Sequence, residues 1–195
     1  MARTKSFDQE ETLHKILMMF WQKGYHQTSL QDILKAGGIS KQSMYDTYGD
    51  KRTLFLKVLA LYREINTKAI EQQVKEKLDS NTPILEILHG MIYKSRTPDE
   101  NIRGCLVTNS MVEFREADGE IRTEMNEILL FLKEKMKFLI EKGQKHGEIT
   151  TKLNSVQISD VLMNARNGLQ VGEFYDMPAE IQNDIADNTI DLIRA

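Results

Sequence analysis

Gln27-Thr28-Ser29-Leu30-Gln31-Asp32-Ile33-Leu34-Lys35-Ala36-Gly37-Gly38-Ile39-Ser40-Lys41-Gln42-Ser43-Met44-Tyr45-Asp46-Thr47-Tyr48-Gly49-Asp50-Lys51 decides the fold of this chain. It reads as two short helices around a glycine turn. Thr28 followed by Gln31 has the spacing of a capping box and opens the first helix. Gly38 supplies the positive φ that a sharp turn between helices needs. Ser40 caps the second helix, whose Lys41, Gln42, Ser43, Tyr45 and Asp46 project outward while Ile39 and Met44 point back toward Ile33 and Leu34. This is the pattern of a helix-turn-helix whose second helix enters the major groove of DNA.

Outward from this stretch, the apolar residues keep a helical period. Leu13, Ile16, Leu17 and Phe20 form the stripe of a preceding helix. Asp50 caps a long fourth helix that carries Leu54, Val58, Leu61, Tyr62 and Ile65 and reaches about residue 78. Thr82-Pro83 opens a fifth helix to about Arg96, and Thr97 to Asn101 is a loop. A sixth helix follows from Gly104 to about Glu116. The seventh carries Ile121, Met125, Ile128, Leu132, Met136 and Leu139 until Gly143 and Gly147 end it. The last two span 154–175 and 178–193, opened by Asn154 and Pro178. With three prolines and no alternating β-branched run, the chain is expected to be all-α.

The net charge of −3 is uneven. Residues 1–57 carry nine Lys and Arg against six Asp and Glu, and residues 58–195 carry seventeen against twenty-three. A basic head suits phosphate contact and an acidic body does not. The start, Met-Ala-Arg-Thr-Lys-Ser, is polar, and no apolar run approaches the roughly 20 residues of a membrane helix. One cysteine cannot form an internal disulfide. A cytoplasmic chain without membrane contact is expected.

The opening 57 residues resemble the DNA-binding domain of the TetR family of bacterial transcriptional repressors. Phe20 then Gly24-Tyr25, Thr28-Ser29, Gly38-Ile39-Ser40, Ser43-Met44-Tyr45 and Asp50-Lys51 with Leu54 carry the resemblance. Leu34, Gly37, Gln42, Asp46 and Thr47 depart from that family's usual residues, so base preference is individual to this chain. The resemblance implies about nine helices: a three-helix DNA-binding head over residues 1–50 and a helical ligand-binding and dimerisation body over 51–195. It also implies phosphate contacts from Thr28, Tyr45, Thr47 and Lys51, with Ser29 and Ser40 at the helix starts beside them. By chemistry, Gln42 fits an adenine edge, Lys41 a guanine, and Ser43 either. Arg3 and Lys5 are candidates for an adjacent groove or the backbone. Tyr48 is expected in the core, and Asp46 is expected to restrain Lys41 or accept from a cytosine amino group.

One head discriminates only a short stretch of bases, so a homodimer on an approximately palindromic operator in double-stranded DNA is expected. Val161, Leu162, Ala165, Gly168, Leu169 and Gly172 form the candidate dimer surface, since small residues allow close backbone approach. The resemblance implies a ligand cavity between the fourth and eighth helices, for which Tyr62, Met91, Tyr93, Met111, Phe114, Met163, Arg166 and Asn167 are candidate lining; the residues do not disclose the small-molecule effector's identity. Arg103-Gly104-Cys105-Leu106 is similar to a Gly-Cys-Leu segment of an electrophile- or oxidant-sensing TetR subgroup. A helix start and a neighbouring arginine favour a thiolate at Cys105 if its sulfur is accessible.

Two other functions compete. Glu11-x-x-His14 and Glu86-x-x-His89 match the Glu-x-x-His element of di-iron helical bundles. His14 and His89 nevertheless lie about 100–110° from the apolar stripes of their helices, so both pairs face away from the core. His26 and His146 add no ligand set, and no metal, cofactor or catalytic residue is expected. The other alternative is a helical interaction module that does not read DNA.

Overall fold

The computed structural model describes residues 7–93, 104–114 and 119–195. Nine helices run through these residues: α1 (Gln9–Lys23), α2 (Leu30–Gly37), α3 (Lys41–Tyr48), α4 (Lys51–Asp79), α5 (Ile84–Ile92), α6 (Leu106–Glu113), α7 (Gly119–Lys145), α8 (Ser155–Phe174) and α9 (Ala179–Asp191). An isolated bridge between Ile149 and Arg194 is the sole β pairing among them, and the all-α expectation holds. The described residues fall into two compact units, one within 1–65 and 105–126, the other within 66–104 and 127–195.

In the first unit, Asp8 starts α1 by accepting the backbone N–H groups of Glu10 and Glu11 at 2.9 and 3.1 Å. Ile16 and Phe20 on its apolar face are fully buried with Ile33 of α2, Met44 of α3 and Leu54 and Phe55 of α4. Each such side chain contributes about 1.5–3 kcal/mol through loss of apolar surface to water. The cap of α2 falls one residue later than the Thr28–Gln31 spacing predicts. Ser29 Oγ accepts from the Asp32 N–H at 3.2 Å, and Asp32 Oδ2 accepts from the Ser29 N–H at 2.7 Å. Thr28 is instead buried, its hydroxyl donating to the Gly24 carbonyl at 2.6 Å. Gly38 ends α2 in the left-handed region at φ 63°, as the turn requires. Ser40 Oγ accepts from the Ser43 N–H at 3.1 Å to start α3, and Asp50 Oδ1 accepts from the Thr53 N–H at 2.7 Å to start α4.

The second unit is built around Leu88 and Ile92 of α5, Met136, Leu139 and Ile140 of α7, Ile158, Leu162 and Leu169 of α8, and Ile190 of α9. Helix α8 opens with a reciprocal cap, Asn154 and Gln157 each accepting the other's backbone N–H at 3.0 Å. Three expected boundaries move. Helix α5 ends at Ile92, ahead of Arg96, because Tyr93 is extended (φ −143°, ψ 133°) and buried. Helix α7 passes through Gly143 to Lys145, and the chain turns at Gly147, where φ is 75°. A Cβ on Gly143 would stand 2.6 Å from Ile149 Cδ1 and 3.2 Å from Ile84 Cγ2, so this glycine serves close packing and not helix termination. Helix α6 ends at Glu113, ahead of Glu116, because Phe114 leaves helical geometry (φ −95°, ψ 61°). The loop over 97–101 lies outside the described residues. No helix among those described is long and apolar enough to cross a membrane.

Candidate functional site

Helix α3 has two unlike faces. Met44 and Tyr48 are buried, and the Tyr48 hydroxyl donates to the Gln9 carbonyl at 2.8 Å, tying α3 to the start of α1. Lys41, Gln42, Tyr45 and Asp46 are exposed on the other face. The Gln42 Nε2 donates to Asp46 Oδ1 at 2.8 Å across one helical turn. Asp46 therefore restrains Gln42 and not Lys41, whose restraint was the first of the two roles expected of it. Because a carboxylate only accepts, the pair fixes which end of the amide is nitrogen. The Gln42 oxygen and its second N–H stay available, and these are the two groups an adenine edge requires. Ser43 is half-buried, its hydroxyl 2.9 Å from that of Ser40.

Around this edge the expected contacts separate. Ser29 and Ser40 are exposed helix caps, so their hydroxyls lie beside free backbone N–H groups that favour anions. Thr28 does not join them: with its side chain buried on the Gly24 carbonyl, it is a structural residue. Thr47 is half-buried, and its carbonyl accepts from Lys57 Nζ at 3.0 Å. Lys51 Nζ stands 4.3 Å over the Tyr25 ring. Burial pulls its pKa below the usual lysine range, and the nearby Glu113 carboxylate opposes that shift. Lys23 and Ser29 hold the Asp32 carboxyl well below the usual range. Arg3 and Lys5 lie outside the described residues.

A cluster that the sequence did not disclose packs on the turn after α1. Glu113, the last residue of α6, accepts the His26 backbone N–H through Oε2 at 2.8 Å, and the Glu113 carbonyl lies 3.2 Å from His26 Nε2. Phe114 packs against Tyr25 at 4.9 Å and Phe55 at 5.6 Å between ring centroids. Helix α6 thus grips the segment joining α1 to α2, and no local pattern in the chain encodes that contact.

Of the proposed effector-lining residues, Tyr62, Met111 and Phe114 belong to the first unit, while Met91, Tyr93, Met163, Arg166 and Asn167 belong to the second. Tyr62 is buried against Trp21, with its hydroxyl 3.2 Å from Cys105 Sγ. Met111 is 44% exposed, whereas Tyr93 and Met163 are buried. Arg166 Nη1 and Asn167 Oδ1 are buried without hydrogen-bond partners. Cys105 precedes α6 as its N-cap but is only 4% exposed, so the accessible sulfur that a reactive thiolate needs is absent in this state. Arg103 lies outside the described residues.

The dimer candidates also divide. Leu162 and Leu169 point into the second unit's core, and Gly172 makes room for Met177, whose Cε would lie 2.9 Å from an added Cβ. These three serve internal packing. Val161 and Gly168 are exposed and Ala165 is half-buried. The outward apolar stripe continues through Val171 and Tyr175, with Ile181 and Ile185 exposed on α9.

The Glu-x-x-His pairs are otherwise engaged. Glu11 pairs with Lys15, and His14 Nδ1 lies 3.0 Å from the Glu10 carbonyl. Glu86 lies near Lys77, and His89 lies 3.0 Å from Asp187. Among the described residues no three His, Cys, Asp or Glu side chains come together as a metal site.

Residues 13–58 match the family model "Bacterial regulatory proteins, tetR family", and residues 82–180 match "Tetracyclin repressor-like, C-terminal domain". The chain is 36% identical over 121 residues to the uncharacterized HTH-type transcriptional regulator YezE of Bacillus subtilis (strain 168), a match spanning 62% of each protein. It is 24% identical over 191 residues to the HTH-type transcriptional repressor ComR of Escherichia coli (strain K12), covering 98% of this chain and 91% of that one. A solved structure of a cysteine mutant of the TetR family regulator CifR, complexed with 26-bp double-strand operator DNA, has the same fold. Its TM-score is 0.77 at 21% identity, covering 98% of this chain and 99% of that one.

Proposed function

Since this chain belongs to the tetR family of bacterial regulatory proteins, we propose that it is a cytoplasmic homodimeric repressor released from its operator by a small-molecule or thiol-reactive effector. Residues 1–50 bind DNA, and residues 51–195 bind the effector and dimerise. One observation carries the proposal: α3 presents Lys41, a pre-set Gln42 and Tyr45 on a polar edge whose underside, Met44 and Tyr48, is locked in the core. Two such edges, spaced about 34–36 Å apart, fit successive major-groove faces of an approximate palindrome. The exposed stripe of Val161, Gly168, Val171 and Tyr175 beside Ile181 and Ile185 supports a two-fold, self-complementary interface. Its small residue at 168 permits close helix approach.

Release requires an effector that binds a dimer of another head spacing more tightly, typically by about 1–3 kcal/mol of coupling. Helix α6 supports such coupling, because Cys105 stands before its first residue and Glu113, its last, grips His26. A reagent reaching Cys105 would have to displace the Tyr62 hydroxyl. The protein uses no cofactor and catalyses no reaction; stoichiometric iron in the purified protein would revive the di-iron alternative.

Titrating the purified protein with duplexes from its own promoter region, at rising salt, tests the proposal. Affinity should fall steeply with salt, and Lys51→Met should flatten the log-log slope by about one unit if Lys51 neutralises one phosphate. Undetectable binding at low salt would overturn it in favour of the interaction module.

A further inference from the structure

The second unit contains a cavity of about 160 Å³ bounded by α4, α5, α7 and α8. Ile70, Val74, Met91 and Leu132 supply apolar wall, and Arg166 and Gln170 supply polar groups from successive turns of α8. Arg166 Nη1 is buried and donates to nothing. A guanidinium nitrogen in that condition has lost water and gained no acceptor, which is costly unless an acceptor arrives. Guanidinium carries only donors, so the missing partner is an oxygen acceptor, and a carboxylate matches its planar fork and its charge.

We propose that this cavity is a binding site for a small monocarboxylate with a compact apolar body, its carboxylate on Arg166 and its hydrocarbon against Ile70, Val74, Met91 and Leu132. The cavity admits a molecule of fewer than about ten non-hydrogen atoms, well below drug size. Gln170 offers a further N–H to the second carboxylate oxygen. A bare inorganic anion would leave the apolar wall unfilled, and a neutral amide of the same shape would leave the guanidinium charge uncompensated. The site rests on the assignment of the body as the effector-binding part, and names the chemical class of that effector.

The test is calorimetric titration of the full chain with isovalerate and benzoate, against isovaleramide, benzamide and inorganic phosphate. At least one carboxylate should bind saturably with 1:1 stoichiometry per chain, at least tenfold tighter than its amide and than phosphate. Arg166→Gln should remove the tenfold preference, Arg166→Lys should retain part of it, and Met91→Trp should block every probe, with circular dichroism confirming helical content. Equal binding of acid and amide, binding of phosphate alone, binding untouched by Arg166→Gln, or no binding by either carboxylate overturns the site. Because calorimetry needs no DNA, failure of operator binding would count against the repressor without touching this result. Carboxylate binding that leaves operator affinity unchanged would overturn the effector assignment alone.

Discussion

The His26 backbone N–H donates to Glu113 Oε2 at 2.8 Å, joining residues 87 positions apart. The bond is charge-assisted, and its loss leaves His26 without that acceptor. Glu113→Ala should therefore destabilise the first unit by about 1–3 kcal/mol, with Glu113→Gln losing less because it keeps an oxygen. The single tryptophan, Trp21, lies on α1 of this unit, so its fluorescence during urea unfolding is the appropriate reading.

Gly24 and Gly38 both sit at positive φ, 79° and 63°, but in different surroundings. A Cβ on Gly38 meets nothing within 4 Å, whereas one on Gly24 would collide with Glu113 Oε1. Gly38→Ala should cost about 1–2 kcal/mol from backbone strain alone. Gly24→Ala should cost more, since Glu113 must withdraw and release His26. In a Glu113→Ala background that excess should shrink, a non-additivity that a double-mutant cycle measures directly.

Substitutions at the Gln42–Asp46 pair should act differently on duplex binding. Gln42→Ala removes a base-edge contact and should cost about 1–3 kcal/mol on the preferred sequence, with little change on a scrambled duplex. Asp46→Ala removes a negative charge from the edge and unlocks the amide. It should strengthen binding to both duplexes while narrowing the ratio between them. Competition titrations at one fixed salt concentration distinguish the two outcomes.

Tyr48 lies buried on the Gln9 carbonyl, and burial, with the charge of Asp8, raises its pKa above the ordinary tyrosine value. A folded-state pKa raised this way contributes stability that is intact below about pH 10 and is lost as pH rises through the folded value. Tyr48→Phe should lose about 1 kcal/mol at neutral pH with the hydrogen bond. Above about pH 10 the deficit should narrow, because the variant lacks the ionising group. Urea unfolding between pH 7 and 11 would show this convergence.

Local features of the head were legible because short-range chemistry fixes them: the α1 stripe, the left-handed Gly38 and the Ser40 cap each follow from residues within four positions. The cap of α2 was misplaced by one because Thr28 and Ser29 are both capping residues, and only the burial of Thr28 beneath Gly24 separates them. In α8 the apolar and small residues occupy more than one face, so periodicity alone could not sort Leu162 and Leu169, which pack inward, from Val161 and Gly168, which face out. Gly143 read as a stop because a glycine that ends a helix and one that admits Ile149 look the same in one dimension. The Glu113 grip and the orphan nitrogen of Arg166 had no sequence signal, since each depends on where distant segments meet.

The tether between Gln42 and Asp46 also bears on the thermodynamics of recognition. A glutamine held in one rotamer before encounter has already surrendered conformational freedom that a loose side chain would give up on the duplex. Selectivity from this residue should consequently survive warming better than selectivity built on mobile arginines. A van't Hoff series on wild type and Asp46→Ala would expose the difference as a smaller entropic penalty for the tethered amide.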